Sequence, residues 1–346
     1  VGAVHDVLVG TRDGTAIAAR LAAAATRIAS FTVTEKGYCR SADGSLDLAL
    51  AGPGSIYGLL GAGLALRRAA GLPGLTLLSC DNLADNGRQL ERLMGEWCAA
   101  HDPELGRWIA DTCTFPATMV DRIVPATTDA DRAAAAAQLG LEDEAAVVTE
   151  PFSQWVIEDR FSGPRPRWDA VGAELVGDVA PYEMAKLRML NGAHSALAYL
   201  GLARGLTYVH QAVADPELRE IVARLMRDEA APTVKAAPGQ DLDTYAKALL
   251  ARFANPALNH KLIQIAMDGS QKVPQRWLET LESNRRMGRD CPAINAAIAA
   301  WFRHLRGANG PVDDPLAEQL QALAATRDDG ALAGALFGPA ELLTNG

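Results

Sequence analysis

A chain of 346 residues with 49% hydrophobic content can bury a large core and form two domains. Its net charge of −9, without any Lys/Arg block, sets a nucleic-acid partner aside, and the longest apolar runs (15–25 and 293–301) are interrupted or too short to span a bilayer. Five scattered cysteines without a Cys-x-x-Cys pair and six scattered histidines predict reduced thiols, a cytoplasmic location and no metal site.

The opening Val1-Gly-Ala-Val-His-Asp-Val-Leu-Val reads as a strand with no methionine or signal ahead of it, which predicts that the chain is part of a longer one. An Ala-rich helix over 13–26 leads into the β-prone run Ile28-Ala-Ser-Phe-Thr-Val-Thr34 and the polar turn Glu35-Lys-Gly-Tyr38. The unit recurs as a helix over 55–70, a Gly71-Leu-Pro-Gly74 break, the strand Leu75-Thr-Leu-Leu-Ser79 and a helix over 86–100. Helices alternating with short apolar strands predict a parallel α/β sheet, in which ligands sit beyond the carboxyl ends of the strands. Thr34/Glu35, Asp81/Asn82 and the charged end of Phe115-Pro-Ala-Thr-Met-Val-Asp121-Arg122 occupy such ends. Glycines 52, 54, 58, 61 and 63 resemble a dinucleotide fingerprint only on paper, because no strand precedes them and the later ones are interior to a helix.

A helix over 126–139, capped by Thr127 or Thr128 and stopped by Gly140, reads as structural. Residues 146–161 read as extended with a bend at Pro151, and 173–179 as another short strand. Strand signals then vanish and helices follow through 254, separated by Pro216, Pro232 and the 236–240 loop. A domain boundary is therefore expected between 178 and 179.

The first helix beyond it carries Glu183, Lys186, Asn191 and His194 among leucines and alanines. At about 100° per residue, with Lys186 at zero, Glu183, His194 and Asn191 fall near 60°, 80° and 140°, on one arc that also holds Leu187, Leu190 and Leu197. A lysine there loses water, which disfavours the ammonium and makes a general base available near neutral pH. An ion pair and a satisfied core histidine would explain any one of these residues; the four together point to a site. Lysine is scarce, six against twenty-seven arginines. Further on, Arg252-Phe-Ala-Asn255-Pro256 reads as an ordinary helix end, whereas Met267-Asp-Gly-Ser-Gln-Lys272-Val-Pro-Gln-Arg276 stays open between capping and function.

Five stretches resemble the polyol-specific long-chain dehydrogenases, which include mannitol 2-dehydrogenase and fructuronate reductase. They are Thr32-Val-Thr-Glu-Lys-Gly-Tyr38, Ser79-Cys-Asp-Asn82 with Asn86-Gly87, 115–125, Thr149-Glu-Pro-Phe-Ser-Gln-Trp-Val-Ile-Glu-Asp159, and Lys186-Leu-Arg-Met-Leu-Asn-Gly-Ala-His-Ser195. The resemblance implies an incomplete Rossmann-type domain with added strands over 1–178. A helical substrate and catalytic domain, similar to the C-terminal domain of 6-phosphogluconate dehydrogenase, would fill 179–346. It implies zinc-independent, NAD(P)-dependent interconversion of a polyol or aldonate with its ketose or keturonate, with NAD and the mannitol–fructose pair favoured and fructuronate reduction as the alternative. The expected partners are the small-molecule polyol, ketose or hexuronate; the protein itself is expected to be a monomer or weak oligomer.

By the same resemblance Lys186 is the catalytic base, Asn82 and Asn191 hold the substrate oxygen, His194 binds substrate and Glu183 lies on the proton path. Asp121 and Lys272 contact substrate. Thr34, Glu35 and Asn82 lie toward the nicotinamide. Gln264 takes a substrate position where many relatives carry arginine, and loss of that guanidinium argues against a carboxylate-bearing substrate. The family's opening strand, Gly-x-Gly loop and cofactor-selecting acid have no counterpart here, so a second expectation is a fragment that keeps the sugar pocket without holding a dinucleotide.

Overall fold

In the computed structural model, residues 4–41, 43–338 and 343 are described. The chain divides into two compact units, one of residues up to 121 together with 154–180, the other of 122–153 together with 181 onward.

In the first unit, β1 (Ile28–Phe31) and β2 (Thr76–Ser79) pair in parallel, Ile28 opposite Thr76 and Phe31 opposite Ser79. All four β2 residues are buried, as a strand covered on both faces requires. The helices Gly14–Ala22 and Ile56–Ala69 pack against each other. Ser55 caps the latter, its Oγ accepting from the Gly58 N–H at 3.3 Å. Gly58 is there for packing: a Cβ would lie 2.6 Å from the Pro53 backbone. Gly61 likewise faces the Trp97 ring, so these glycines serve close helix contacts rather than a phosphate loop. Fully buried Arg67 donates to the carbonyls of Leu21, Ala23 and Pro73 at 2.9, 2.8 and 3.0 Å, tying the end of the first helix to the entry of β2. Tyr38, Tyr57, Leu60, Leu77, Leu90 and Phe115 form the core.

Two expectations change. Residues 4–9 join no strand, and the turn after β1 is a short helix, Thr34–Gly37. The described strands also form two sheets rather than one parallel sheet, the second of them mixed. β3 (Thr118–Asp121) runs antiparallel to β4 (Gln154–Glu158), which pairs in parallel with β5 (Glu174–Val176). The long excursion between β3 and β4 lets the chain reverse, a choice that hydrophobicity alone does not encode.

The second unit is helical. Its segment 122–153 holds the helix Asp129–Leu139, with a reciprocal Thr128/Asp131 capping box and Gly140 at φ 72° as the stop. The helix expected from 181 is built in three pieces: Ala180–Ala185, a π-helical turn Lys186–Asn191, and Gly192–Ala203. Pro216 opens a helix to Arg224 under an Asp215 cap, and Pro232 falls in a 3₁₀ turn. Leu197, Tyr199, Met226, Leu249, Trp277, Ile294 and Trp301 centre the core. Buried Glu229 accepts from the N–H groups of Ala293 and Ile294 at 2.7 and 2.8 Å, satisfying the start of the helix Pro292–Leu305. Among the described residues no helix is long and apolar enough to cross a membrane.

Candidate active site

The π turn Lys186–Asn191 is the centre of the second unit's candidate site. At its end the Gly192 N–H donates to Leu187 O, five residues back. Five residues are about 500° of α-helix, which would set Asn191 well away from Lys186; i→i+5 bonding closes that gap and stacks them about one turn apart. The uniform spacing assumed from the sequence therefore overstated the angle between them. Lys186, Asn191 and Glu183 are half-buried, and Glu183 lies three residues before the lysine.

Two carbonyls where the π turn passes into the following helix also receive side-chain donors from a second π turn, Pro274–Leu278. Trp277 Nε1 donates to Gly192 O at 3.1 Å, and Arg276 Nη1 donates to Asn191 O at 3.3 Å and to Ser195 Oγ at 2.6 Å. Arg188 secures the outer side through Thr233 O at 3.0 Å and Glu279 at 3.1 Å.

His194 follows one turn later, stacked on Phe253 at 5.3 Å and met edge-on by His260 at 4.9 Å. It lines a small cavity with His260, Arg252, Phe253, Ile123 and Leu258. Burial first, then His260, Arg276, Arg252 and Lys272, push its pKa well below the usual imidazole value. His194 is thus a neutral ring at physiological pH, and its buried Nε2 has no partner. Such a ring can exchange a hydrogen bond with a hydroxyl.

Lys272 donates to Met267 O at 2.5 Å and Ile265 O at 3.4 Å, with Asp268 at 3.7 Å. Burial and then Arg276 lower its pKa. Gln264 is exposed. Arg252, expected to do no more than end a helix, instead makes a buried ion pair with Glu150 and lies over the Phe152 ring at 4.0 Å. Arg252, His260 and Arg276 were not read from the sequence as site residues; Arg276 closed the stretch that had been left open.

In the first unit, Thr34 and Glu35 are exposed just beyond β1, and Thr34 holds φ 61°. Asp81 imposes that shape by accepting from the Val33 and Thr34 N–H groups at 2.9 and 2.7 Å, and Tyr38 braces it from below at 3.1 Å. Exposed Asn82 follows Asp81. Buried Asn86 fixes this corner: its Nδ2 donates to Asp81 O and Thr118 O at 2.9 and 3.0 Å, and its Oδ1 accepts from the Thr118 N–H at 3.0 Å. Asp121, buried, ends β3 opposite Gln154. Among the described residues no cluster of three His, Cys, Asp or Glu could hold a metal ion.

Comparison with known proteins agrees with this architecture. The model of the mannitol dehydrogenase Rossmann domain matches residues 1–170, and that of the mannitol dehydrogenase C-terminal domain matches 178–337. The chain is 42% identical over 340 residues to D-mannonate oxidoreductase of Escherichia coli, covering 93% of this chain and 70% of that one. With a mannitol 2-dehydrogenase of Phaeosphaeria nodorum the identity is 39%, covering 94% and 60%. Among solved structures, Pseudomonas fluorescens mannitol 2-dehydrogenase in its ternary complex with NAD and D-mannitol superposes with a TM-score of 0.80 at 36% identity, over 96% of this chain and 70% of that one. With both family domains matched in order over nearly the whole sequence, the chain belongs to the mannitol dehydrogenase family of oxidoreductases, a Rossmann-type domain followed by a helical one.

Proposed function

We propose that the protein oxidises a secondary alcohol of a polyol or aldonate to the ketose or keturonate, and catalyses the reverse reduction, with NAD(P) and without a metal. The observation that carries this reading is the π turn with Lys186 at one end and Asn191 at the other, followed by neutral His194.

In the oxidation direction, neutral Lys186 takes the hydroxyl proton. The Asn191 side-chain amide donates to the oxygen as it becomes an alkoxide and then a carbonyl. Its position is fixed from behind, because Arg276 and Trp277 bond the main chain at the end of the turn. His194 orients a neighbouring hydroxyl, and Glu183 passes the lysine's proton toward water. Asp121 and Lys272 contact the remaining hydroxyls, while Gln264, neutral and exposed, contributes at most a polar contact. When bound, the dinucleotide accepts the hydride. Exposed Thr34, Glu35 and Asn82, beyond the carboxyl ends of a parallel strand pair and held in shape by Asp81, suit the nicotinamide end of such a cofactor. NAD is the favoured dinucleotide. The reading is completed by a cytoplasmic location, for which the scattered cysteines speak, and by a monomer or weak oligomer acting on small molecules.

Mannitol–fructose, the pair that the family resemblance favours, is one substrate pair to test. Mannonate–fructuronate is the second, favoured by the 42% identity to a D-mannonate oxidoreductase. The test is oxidation of NADH and NADPH with D-fructose, D-fructuronate and related sugars; absence of turnover with every ketose and keturonate overturns the reading.

A further inference from the structure

Three basic side chains bear on His194. Arg252, Arg276 and Lys272 all bring positive charge to the ring. Glu150 meets Arg252 through both carboxylate oxygens, at 2.8 and 3.1 Å. Lys272 has Asp268 at 3.7 Å. Arg276 has neither: its Nη1 bonds are to the neutral oxygens of Ser195 and Asn191, and among the described residues no carboxylate pairs with it. Burial lowers its pKa to about 10, so it stays protonated at neutral pH. A half-buried guanidinium without a counter-charge is costly in a folded chain.

The rest of the fork is also available. Nε and Nη2 of Arg276 donate to no protein acceptor, yet neither is sealed from solvent. One N–H edge is thus clamped to the turn that carries Asn191, while the other is free to receive a planar anion in the two-pronged manner that suits arginine and carboxylate. The clamp fixes the distance from that edge to Asn191. Lys272, one helical turn earlier, brings a second positive charge close to Arg276.

We propose that Arg276, supported by Lys272, is the specificity-determining residue of an anion subsite that receives the carboxylate of a keturonate or aldonate, selecting acid-bearing substrates over neutral polyols. This rests on Lys186 and Asn191 being the alcohol–ketone site. It also answers the argument drawn from Gln264: the guanidinium that a carboxylate requires is supplied from position 276 instead.

The experiment compares wild type, Arg276→Gln and Arg276→Lys in NADH oxidation with D-fructuronate and D-fructose. Wild type is expected to prefer fructuronate. Arg276→Gln also loosens the brace on the Asn191 turn, so both sugars should lose in kcat/KM, and fructuronate should lose about 10–100-fold more than fructose, mostly through KM, as expected for one hydrogen-bonded charge pair. Arg276→Lys should recover part of the fructuronate loss only. Equal losses on both sugars would mean that Arg276 merely braces the turn, and the proposal falls. Wild-type turnover of fructose but not fructuronate also overturns it while leaving the proposed function intact. If neither sugar turns over, the proposed function falls, and calorimetric titration of wild type with D-mannonate and D-mannitol still decides the subsite: selective mannonate binding supports it and no preference removes it. Should Arg276→Gln fail to fold, the wild-type KM for fructuronate, but not for fructose, is expected to rise with chloride concentration; parallel behaviour overturns the proposal.

Discussion

Glu150 and Arg252, 102 residues apart in sequence, form a two-pronged ion pair at 2.8 and 3.1 Å with side chains only 2% and 7% exposed. Glu150 also accepts from the Ile123 N–H at 2.7 Å, so one carboxylate fastens the 122–153 segment to the helix Leu242–Phe253. Glu150→Leu is expected to destabilise the protein by about 3–5 kcal/mol, because it removes one member of a buried ion pair and leaves the Ile123 N–H without its acceptor. The double variant Glu150→Leu/Arg252→Met should lose less than the sum of the two single variants. Urea unfolding of wild type, both single variants and the double variant checks this, and an additive double variant contradicts it.

Lys186→Ala should lower turnover by roughly 10²–10⁴-fold if the amine is the general base, with the thermal unfolding midpoint little changed. A loss below tenfold rejects that role.

Asn86 makes its bonds in a buried corner between β2, the following helix and β3. Asn86→Ala leaves the Thr118 N–H and two carbonyls without a partner, and a cost of about 1–3 kcal/mol is expected. The measurement is thermal unfolding; an unchanged midpoint would show that the corner holds without it.

Burial lowers the pKa of three histidines, His194, His260 and His304. The unfolded chain, with ordinary imidazoles, then takes up protons at higher pH than the folded one. Stability is full at neutral pH and declines as pH falls below about 6.5, the unfolded value, toward the folded values. Denaturant midpoints at several pH values between neutral and acidic should show this slope, and His304→Leu, in the core away from the proposed site, should flatten it.

Much of this was legible in the sequence because it is local. Ser55, Thr128, Gly140 and Pro216 act within a few residues of where they stand, and the helices they bound lie close to expectation. The run 186–195 was legible for another reason: four polar groups in an apolar helix need a purpose. The direction of β3 against β4 was not legible, since an apolar strand pairs either way. Nor was Glu150 with Arg252, or Arg276 with Ser195, because long-range partners leave no periodic trace. The π turn was hidden most completely: Lys-Leu-Arg-Met-Leu-Asn has nothing unhelical in it, and the extra residue is held in place by donors some 85 positions later.

That extra residue makes the turn a phase shifter. Were the same residues to relax into ordinary α-helix, Asn191 would stand about 140° round from Lys186 instead of about one turn above it. The backbone would be more regular and the catalytic groups out of phase. At this one place in the chain, regularity of the helix and alignment of its chemistry are competing demands, and the fold has kept the irregular solution.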